Sequence, residues 1–276
     1  MTRCFSFLGR SLCRFRGSPV VDALARYTDA FRRRLENVNF DIETNGEMRV
    51  LKLLRLIGPH CAFDVGAHEG DWTRRMLDVH PQCTVHAFEP IPQTFRKLEQ
   101  ATQSLSGRII LNGYGLSDKN ERMDIYYSDE DSSTATGYPI RGMTFHDQYY
   151  SSHTQCRFRK AVDYIREYDI EQIDFLKIDV EGMELQVIKG FEDELRRVRV
   201  IQFEFGIFNI SSHVLLYDFY TYLDRHGFVM GKIYPTDVVF FQYHYDREAF
   251  LGNNYVAVRN TERELIRCLS DRKVKS

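Results

Sequence analysis

Two hydrophobic rhythms share this chain. Apolar residues three and four apart predict helices over residues 20–36 and 46–57, the second carried by Met48, Leu51, Leu54 and Ile57 and closed by Gly58-Pro59. From residue 61 onward, short apolar runs alternate with such helices. Residues 61–65, 85–88, 108–111, 173–178 and 198–205 read as strands, and 71–79, 92–105, 182–196 and 214–226 as helices, the last ended by Gly227. Further strands are expected near 228–234, 238–243 and 254–258. Strands alternating with amphipathic helices imply an α/β fold, a mostly parallel sheet with helices on both faces. Residues 119–171 break the alternation with one strand, Met123 to Tyr127, and a polar, turn-rich run from Ser128 to Gly137. An insertion of that kind is expected to act as a lid over the site where an acceptor would bind.

Composition narrows the class. The 276 residues are 43% hydrophobic and 28% charged, enough to bury one sizeable core. The formal net charge of −2 gives no overall field for recruiting nucleic acid, and no nucleic-acid partner is expected. Charge is nonetheless uneven, with eight Arg against three acids in residues 1–40. There Phe5, Leu8, Leu12 and Phe15 recur at helical spacing among Arg10, Arg14 and Arg16, a pattern suited to peripheral membrane contact, to a eukaryotic transit peptide or to packing on the domain. The expected organisation is a basic helical arm (1–45), a catalytic domain (46–260) and a C-terminal tail (261–276). No apolar run approaches the ~20 residues that span a bilayer. Six cysteines, none in a CxxC pair, suit free thiols in a reducing compartment, so a cytoplasmic location is expected.

The strongest local signal is a strand running into Asp64-x-Gly66-x-x-x-Gly70 and then a helix. Ligands of open α/β sheets bind beyond the carboxyl ends of the strands. A dinucleotide fingerprint would need glycines at 66, 68 and 71, where His68 and Asp71 stand in the last two places. A phosphate-binding P-loop would need Gly-Lys-Ser/Thr, whereas Gly70 is followed by Asp71-Trp72. An acid before the loop repels pyrophosphate but suits ammonium and sulfonium charge. Glu89, ending the second strand, is placed to accept both hydroxyls of a ribose. A cationic, ribose-bearing ligand without phosphate points to S-adenosylmethionine.

The chain resembles the FkbM family of S-adenosylmethionine-dependent methyltransferases. The matching segments are Phe63-Asp64-Val65-Gly66-Ala67-x-x-Gly70, Ala87-Phe88-Glu89-Pro90, Gly115-Leu116-Ser117-Asp118, the run from Ile173 through Lys177-Ile178-Asp179-Val180-Glu181-Gly182 to Glu184, and Phe203-Glu204. They fall in the family's order over roughly residues 47–258, and His68 stands where the family often has Asn. The resemblance implies a class I methyltransferase, Rossmann-like fold, a seven-stranded mostly parallel sheet with the last strand antiparallel. It implies methylation of a hydroxyl on a sugar, glycan or secondary metabolite. It also implies that Asp64, Gly66, Ala67 and Gly70 line the methionine half of the cofactor, that Glu89 holds the ribose, and that Leu116, Ser117 and Asp118 lie near the adenine.

Methyl transfer to an aliphatic hydroxyl needs alignment and a base. Asp179 and Glu181 follow the fourth strand, and Glu204 ends the fifth, with Asn209 close behind, so these acids face the crevice. Asp179 and Glu204 are also candidate oxygen ligands for Mg²⁺, in the manner of catechol-type O-methyltransferases. His213 is a further candidate base, ahead of His146 and His153. Lys177 is expected to pair with an acid, Trp72 to pack the first helix on the sheet yet report cofactor binding, and Glu184 to favour its helix's positive end. Arg157, Arg159 and Lys160 suit an anionic acceptor or a solvated edge equally. The expected partner is a small-molecule or carbohydrate acceptor, and a homo-oligomer is compatible with the sequence. The competing expectation is a non-catalytic or vestigial cofactor-binding domain that docks on a membrane or partner through its basic arm.

Overall fold

A computed structural model describes residues 12–128, 134–139 and 150–274. The chain divides into a unit of residues 1–40 and a larger unit of residues 41–276. In the first, Ser18 caps a helix over Pro19–Leu35, with Pro19 at its first position, Asp22 in its first turn and Arg32 to Arg34 in its last. Each end thus carries the charge that the helix dipole favours. Val20, Leu24, Tyr27, Phe31 and Leu35 form one apolar stripe along it. Among the described residues no helix is long and apolar enough to cross a membrane.

The larger unit is built on an eight-stranded sheet. Its strands are β1 (Cys61–Val65), β2 (Thr84–Phe88), β3 (Ile109–Asn112), β7 (Ile173–Ile178), β8 (Val198–Phe205), β9 (Phe228–Ile233), β10 (Val238–Phe240) and β11 (Asn253–Arg259). They lie in the order β10-β9-β11-β8-β7-β1-β2-β3. The five strands from β8 to β3 are mutually parallel, and β11 enters antiparallel between β8 and β9. This is the expected fold with one strand more, the short β10 edge paired antiparallel to β9. The central strands are buried on both faces, so period-two alternation gives way to continuous apolar runs. One face packs Phe63, Leu176, Ile201 and Phe203 under helices Ala161–Glu167, Glu184–Lys189 and Leu216–Arg225. The other packs Ala62, Phe175, Val200 and Val256 under helices Glu47–Leu53, Asp71–Val79 and Arg263–Ser270.

Three sequence expectations are revised. The expected C-terminal tail contains a packed helix, Arg263–Ser270: Leu265, Cys268 and Leu269 are core residues, and the buried Arg49 guanidinium donates to the carbonyls of Cys268 (2.9 Å), Leu269 (3.0 Å) and Asp271 (2.8 Å). The boundary near residue 45 moves to 40/41, because Asn45 and Glu47 are buried parts of the larger unit. The helix expected over 182–196 is only Glu184–Lys189 followed by a 3-10 turn, Glu192–Arg197. It breaks at Gly190, where a Cβ would lie 2.0 Å from the Ser117 carbonyl oxygen, and at Glu192, whose φ is +49°.

The insertion is more ordered than a loop. β4 (Gly115–Ser117), β6 (Ser152–Lys160) and β5 (Glu121–Tyr127) form a second, three-stranded sheet in that order. Met123, Ile125, Tyr127, Cys156 and Phe158 share its apolar face. Thr136 joins it by a bridge to Tyr126. His146 lies outside the described residues.

Tyr164 shows how polar groups are handled in this core. Fully buried, its ring packs edge-on to Phe63 and Phe88, and its hydroxyl bonds His86 Nδ1 (2.7 Å) and accepts from Asn112 Nδ2 (3.3 Å). Tyr164→Phe keeps the packing but leaves the buried His86 without that partner. It should destabilise the protein by about 1–3 kcal/mol, read as a lower midpoint at unchanged slope in denaturant titration.

Candidate active site

The site forms where the carboxyl ends of β1, β2 and β7 meet the apolar face of the small sheet. A cleft opens there, with about 590 Å³ of empty space counted out to its open mouth. Gly66 sits at its base with φ +84°, and a Cβ at this position would lie 1.9 Å from the Asp179 carbonyl oxygen. The loop after β1 and the loop after β7 therefore touch backbone to backbone, and the Asp179 N–H donates to the Val65 carbonyl (2.9 Å). His68, also on the wall, has φ +48°, a conformation that Asn, Asp and His adopt more readily than other side-chain-bearing residues.

Glu89 is buried in the wall. Its Oε1 accepts from the Ile91 amide (2.9 Å) and its Oε2 from the His68 amide (3.1 Å). Burial pushes its carboxyl up to about 7, against the pull of those two amides. Leu116, Ile125, Phe158 and Met183 supply apolar wall, and Ala135 and Gly137 close over it from the insertion. The insertion thus walls this cavity rather than a separate acceptor site. Periodicity on β5 and β6 was the available signal for Ile125 and Phe158 in the sequence, but not for what they face.

Asp179 and Glu181 form the opposite wall. Their loop is held from below by Glu184, whose buried carboxylate accepts from the Gly182 amide (3.0 and 3.1 Å) and the Val180 amide (3.3 Å). Burial lifts Glu184 to about 7 despite those amides. From above, Thr136 Oγ1 donates to the Glu181 carbonyl (2.6 Å). Glu181 is held in the left-handed region at φ +48°. Its carboxyl is raised well above its ordinary value, first by burial and next by Glu204. Glu204 is lifted to about 8 by burial and by the charges of Asp179 and Glu184. Lys177, buried, donates to Asp179 Oδ2 (2.8 Å). Burial would weaken its ammonium, but Asp179, Glu47 and Asp64 outweigh that and hold it charged.

Glu47 is a member of this group that sequence reasoning missed. Its carboxylate accepts from Asn45 Nδ2 (2.6 Å), Gln202 Nε2 (2.5 Å) and Asn254 Nδ2 (3.1 Å), so three distant segments meet at one side chain. Nothing in a helix-starting Asn-Gly-Glu signals contacts 155 and 207 residues away.

Other sequence candidates lie elsewhere. Asp64 is buried beneath the loop, accepting from Thr73 Oγ1 (2.6 Å), and burial lifts it to about 6; it is absent from the cavity wall. Ala67 packs with Ala87 and Leu98. Gly70 (φ +86°) caps the helix Asp71–Val79, where a Cβ would meet Leu98 at 2.8 Å. Ser117 and Asp118 line a neighbouring polar groove, which shares Met183 with the cavity. His213 is exposed, at φ +56°, and is not on the cavity wall. Trp72 stacks on Phe175 (5.5 Å) in the core, away from that wall, so its fluorescence is a poor reporter of the site.

The residues do not fit the expected Mg²⁺. Among the described residues no three His, Cys, Asp or Glu side chains converge as a metal site, and the Lys177 ammonium already sits on Asp179. A cationic organic ligand fits better. Several buried acids outnumber one lysine, a glycine permits close backbone approach, and three carboxyl groups face a cleft whose remaining wall is largely apolar.

The family model described as the methyltransferase FkbM domain matches residues 64–230. The 2-O-methyltransferase NoeI of Sinorhizobium fredii is 29% identical over 153 residues, covering 52% of this chain and 62% of that protein. The hexuronic acid methyltransferase AglP of Haloferax volcanii is 25% identical over 187 residues, covering 67% of this chain and 73% of its own. A crystal structure of an FkbM methyltransferase from Methylobacillus flagellatus aligns over 73% of this chain and 44% of that one, with 16% identity and a TM-score of 0.46. The match thus spans about three-fifths of NoeI's length. With the family model matching more than half of its residues, this chain belongs to the FkbM methyltransferase family.

Proposed function

We propose that the protein is an S-adenosylmethionine-dependent O-methyltransferase acting on a hydroxyl of a carbohydrate or a related small metabolite. The observation that carries this reading is the pairing, across one cavity, of buried Glu89 with the acids Asp179 and Glu181. The names of NoeI and AglP support an oxygen nucleophile and a sugar acceptor.

S-adenosylmethionine, when bound, supplies an electrophilic methyl group on a sulfonium sulfur. Glu89 would accept from the ribose hydroxyls through the lone pairs its two amide donors leave free. Leu116, Ile125, Phe158 and Met183 would cover the adenine and exclude water. The acids opposite favour a cation, and Lys177 fixes Asp179 through their ion pair (2.8 Å). Glu181, on the wall and raised in pKa, would take the acceptor's proton, with Glu204 behind it making that carboxylate more basic. Asn209 holds the end of β8 by accepting the Gly206 amide (2.8 Å), behind the cavity wall.

Calorimetry with S-adenosylmethionine should show saturable binding, weakened by about 1.5–3 kcal/mol in Glu89→Ala. Absence of binding by folded wild type would overturn the proposal and favour the non-catalytic reading. Glu181→Gln should retain cofactor affinity while turnover falls ~10²–10⁴-fold, the usual worth of a positioned base; unchanged turnover would remove that role.

The pH dependence has a definite sign. Glu89 and Glu184 near 7 and Glu204 near 8 stand above the ordinary 4.5. Raised acids make the folded state bind more protons than the unfolded one, so their contribution is fully present below about pH 4.5 and fades as pH rises through 7 to 8. Denaturation of the ligand-free protein should show this decline, and S-adenosylmethionine should stabilise most at the alkaline end. Glu204→Gln removes a charge that raises Glu181, so the acidic limb of the rate profile should move to lower pH.

A further inference from the structure

The outer face of the small sheet carries charge that the methyl-transfer reading does not use. In the β5–β6 register Arg122 stands directly opposite Arg157, and Arg159 follows two residues along β6 on the same face. Like charges placed opposite one another destabilise a sheet. Among the described residues, neither Arg122 nor Arg157 has an acid within ion-pair distance, and both are exposed. Arg159 is anchored instead, by Glu167 (2.5 Å) and by donating to the Tyr114 hydroxyl (3.2 Å). The Tyr114 ring lies 5.5 Å from the Arg157 guanidinium and 5.3 Å from that of Arg159, and its hydroxyl donates to Asn112 Oδ1 (3.1 Å). One fixed aromatic ring therefore holds two guanidinium groups side by side.

These residues border an open depression of about 950 Å³. Asp163 on its wall is held by Asn120 Nδ2 (2.6 Å); Glu121, also on the wall, is in register with Phe158 and so leaves β5 on the face opposite to Arg122; and Asp124 follows Arg122 by two residues on the same face, opposite Gln155. Lys160 is taken by Glu192 (2.7 Å). The depression cannot hold the methyl acceptor, because the Phe158 side chain separates it from the cavity.

We propose that this depression is a second binding site, for a phosphoryl group: a phosphate or pyrophosphate ester held by Arg122, Arg157 and Arg159. Directly opposed cross-strand residues have Cβ atoms about 4.5–5.5 Å apart, so both guanidinium forks reach one tetrahedral anion. Such an anion turns a repulsive pair into two charge-assisted contacts. A single carboxylate would satisfy one fork and leave the other facing its like.

Calorimetry on the full chain at constant ionic strength, with inorganic pyrophosphate, inorganic phosphate and acetate, tests this. Pyrophosphate should bind saturably and acetate should not. Arg122→Gln and Arg157→Gln should each weaken pyrophosphate at least tenfold, while the thermal unfolding midpoint in phosphate-free buffer does not fall, since each relieves the like-charge pair. A second arm uses flotation with phosphatidylcholine vesicles with and without phosphatidic acid. Flotation that requires phosphatidic acid and is lost in the double variant assigns the phosphoryl group to a lipid, whereas pyrophosphate binding without it assigns it to a soluble ester. No saturable pyrophosphate binding by wild type, or equal binding by the double variant, overturns the proposal.

Discussion

Everything at the top of the sheet depends on one contact without room for a methyl group. Gly66 and the Asp179 carbonyl meet so closely that the loops after β1 and β7 can move only together. Glu184 stiffens the same junction by taking the amides of Gly182 and Val180, which a loop this buried could not leave unpaired. Thr136 ties the Glu181 carbonyl to the insertion. The wall bearing Glu181 is therefore fixed from three directions, one of them a segment that also closes over the cavity. A ligand that orders that segment would act on the loop through the same bond.

The second constraint is electrostatic. Glu47, Asp64, Asp179, Glu181, Glu184 and Glu204 gather around Lys177, and burial raises several of them into the neutral range. A fold selected for stability alone would replace such groups with apolar ones. Their joint effect is a cleft that prefers to be protonated or to receive a cation. That supports the cofactor reading from physics independent of the motif, and it makes ligand-free stability and ligand affinity move in opposite directions with pH.

The β-α alternation, the order of motifs and the acids after β7 and β8 were legible because hydrophobic period and loop chemistry are local properties. What escaped was tertiary. Asp64 and Gly70 stand out in the sequence, but one is turned under the loop to Thr73 and the other is small because Leu98 and Thr102 crowd it. Both shape the cavity from outside its wall. The C-terminal helix Arg263–Ser270 was expected as a tail, yet Arg49 and the core meet it. Glu47 could not have been found at all, since its partners come together only in the finished sheet.

The insertion shows how one strand can serve two environments. Along β6, Cys156 and Phe158 turn inward while Arg157 and Arg159 turn outward, as a two-residue period requires. The inward set must be apolar to seal a cavity that works by excluding water. The outward set is under no such demand, and Tyr114 can order it because that ring stands beside the sheet with its hydroxyl tied to β3 through Asn112. A shift of one residue in the β5–β6 register would put guanidinium groups into the cavity and Phe158 into solvent. The register that closes the candidate active site is therefore the same one that sets Arg122 against Arg157, and neither surface can change its pairing without the other.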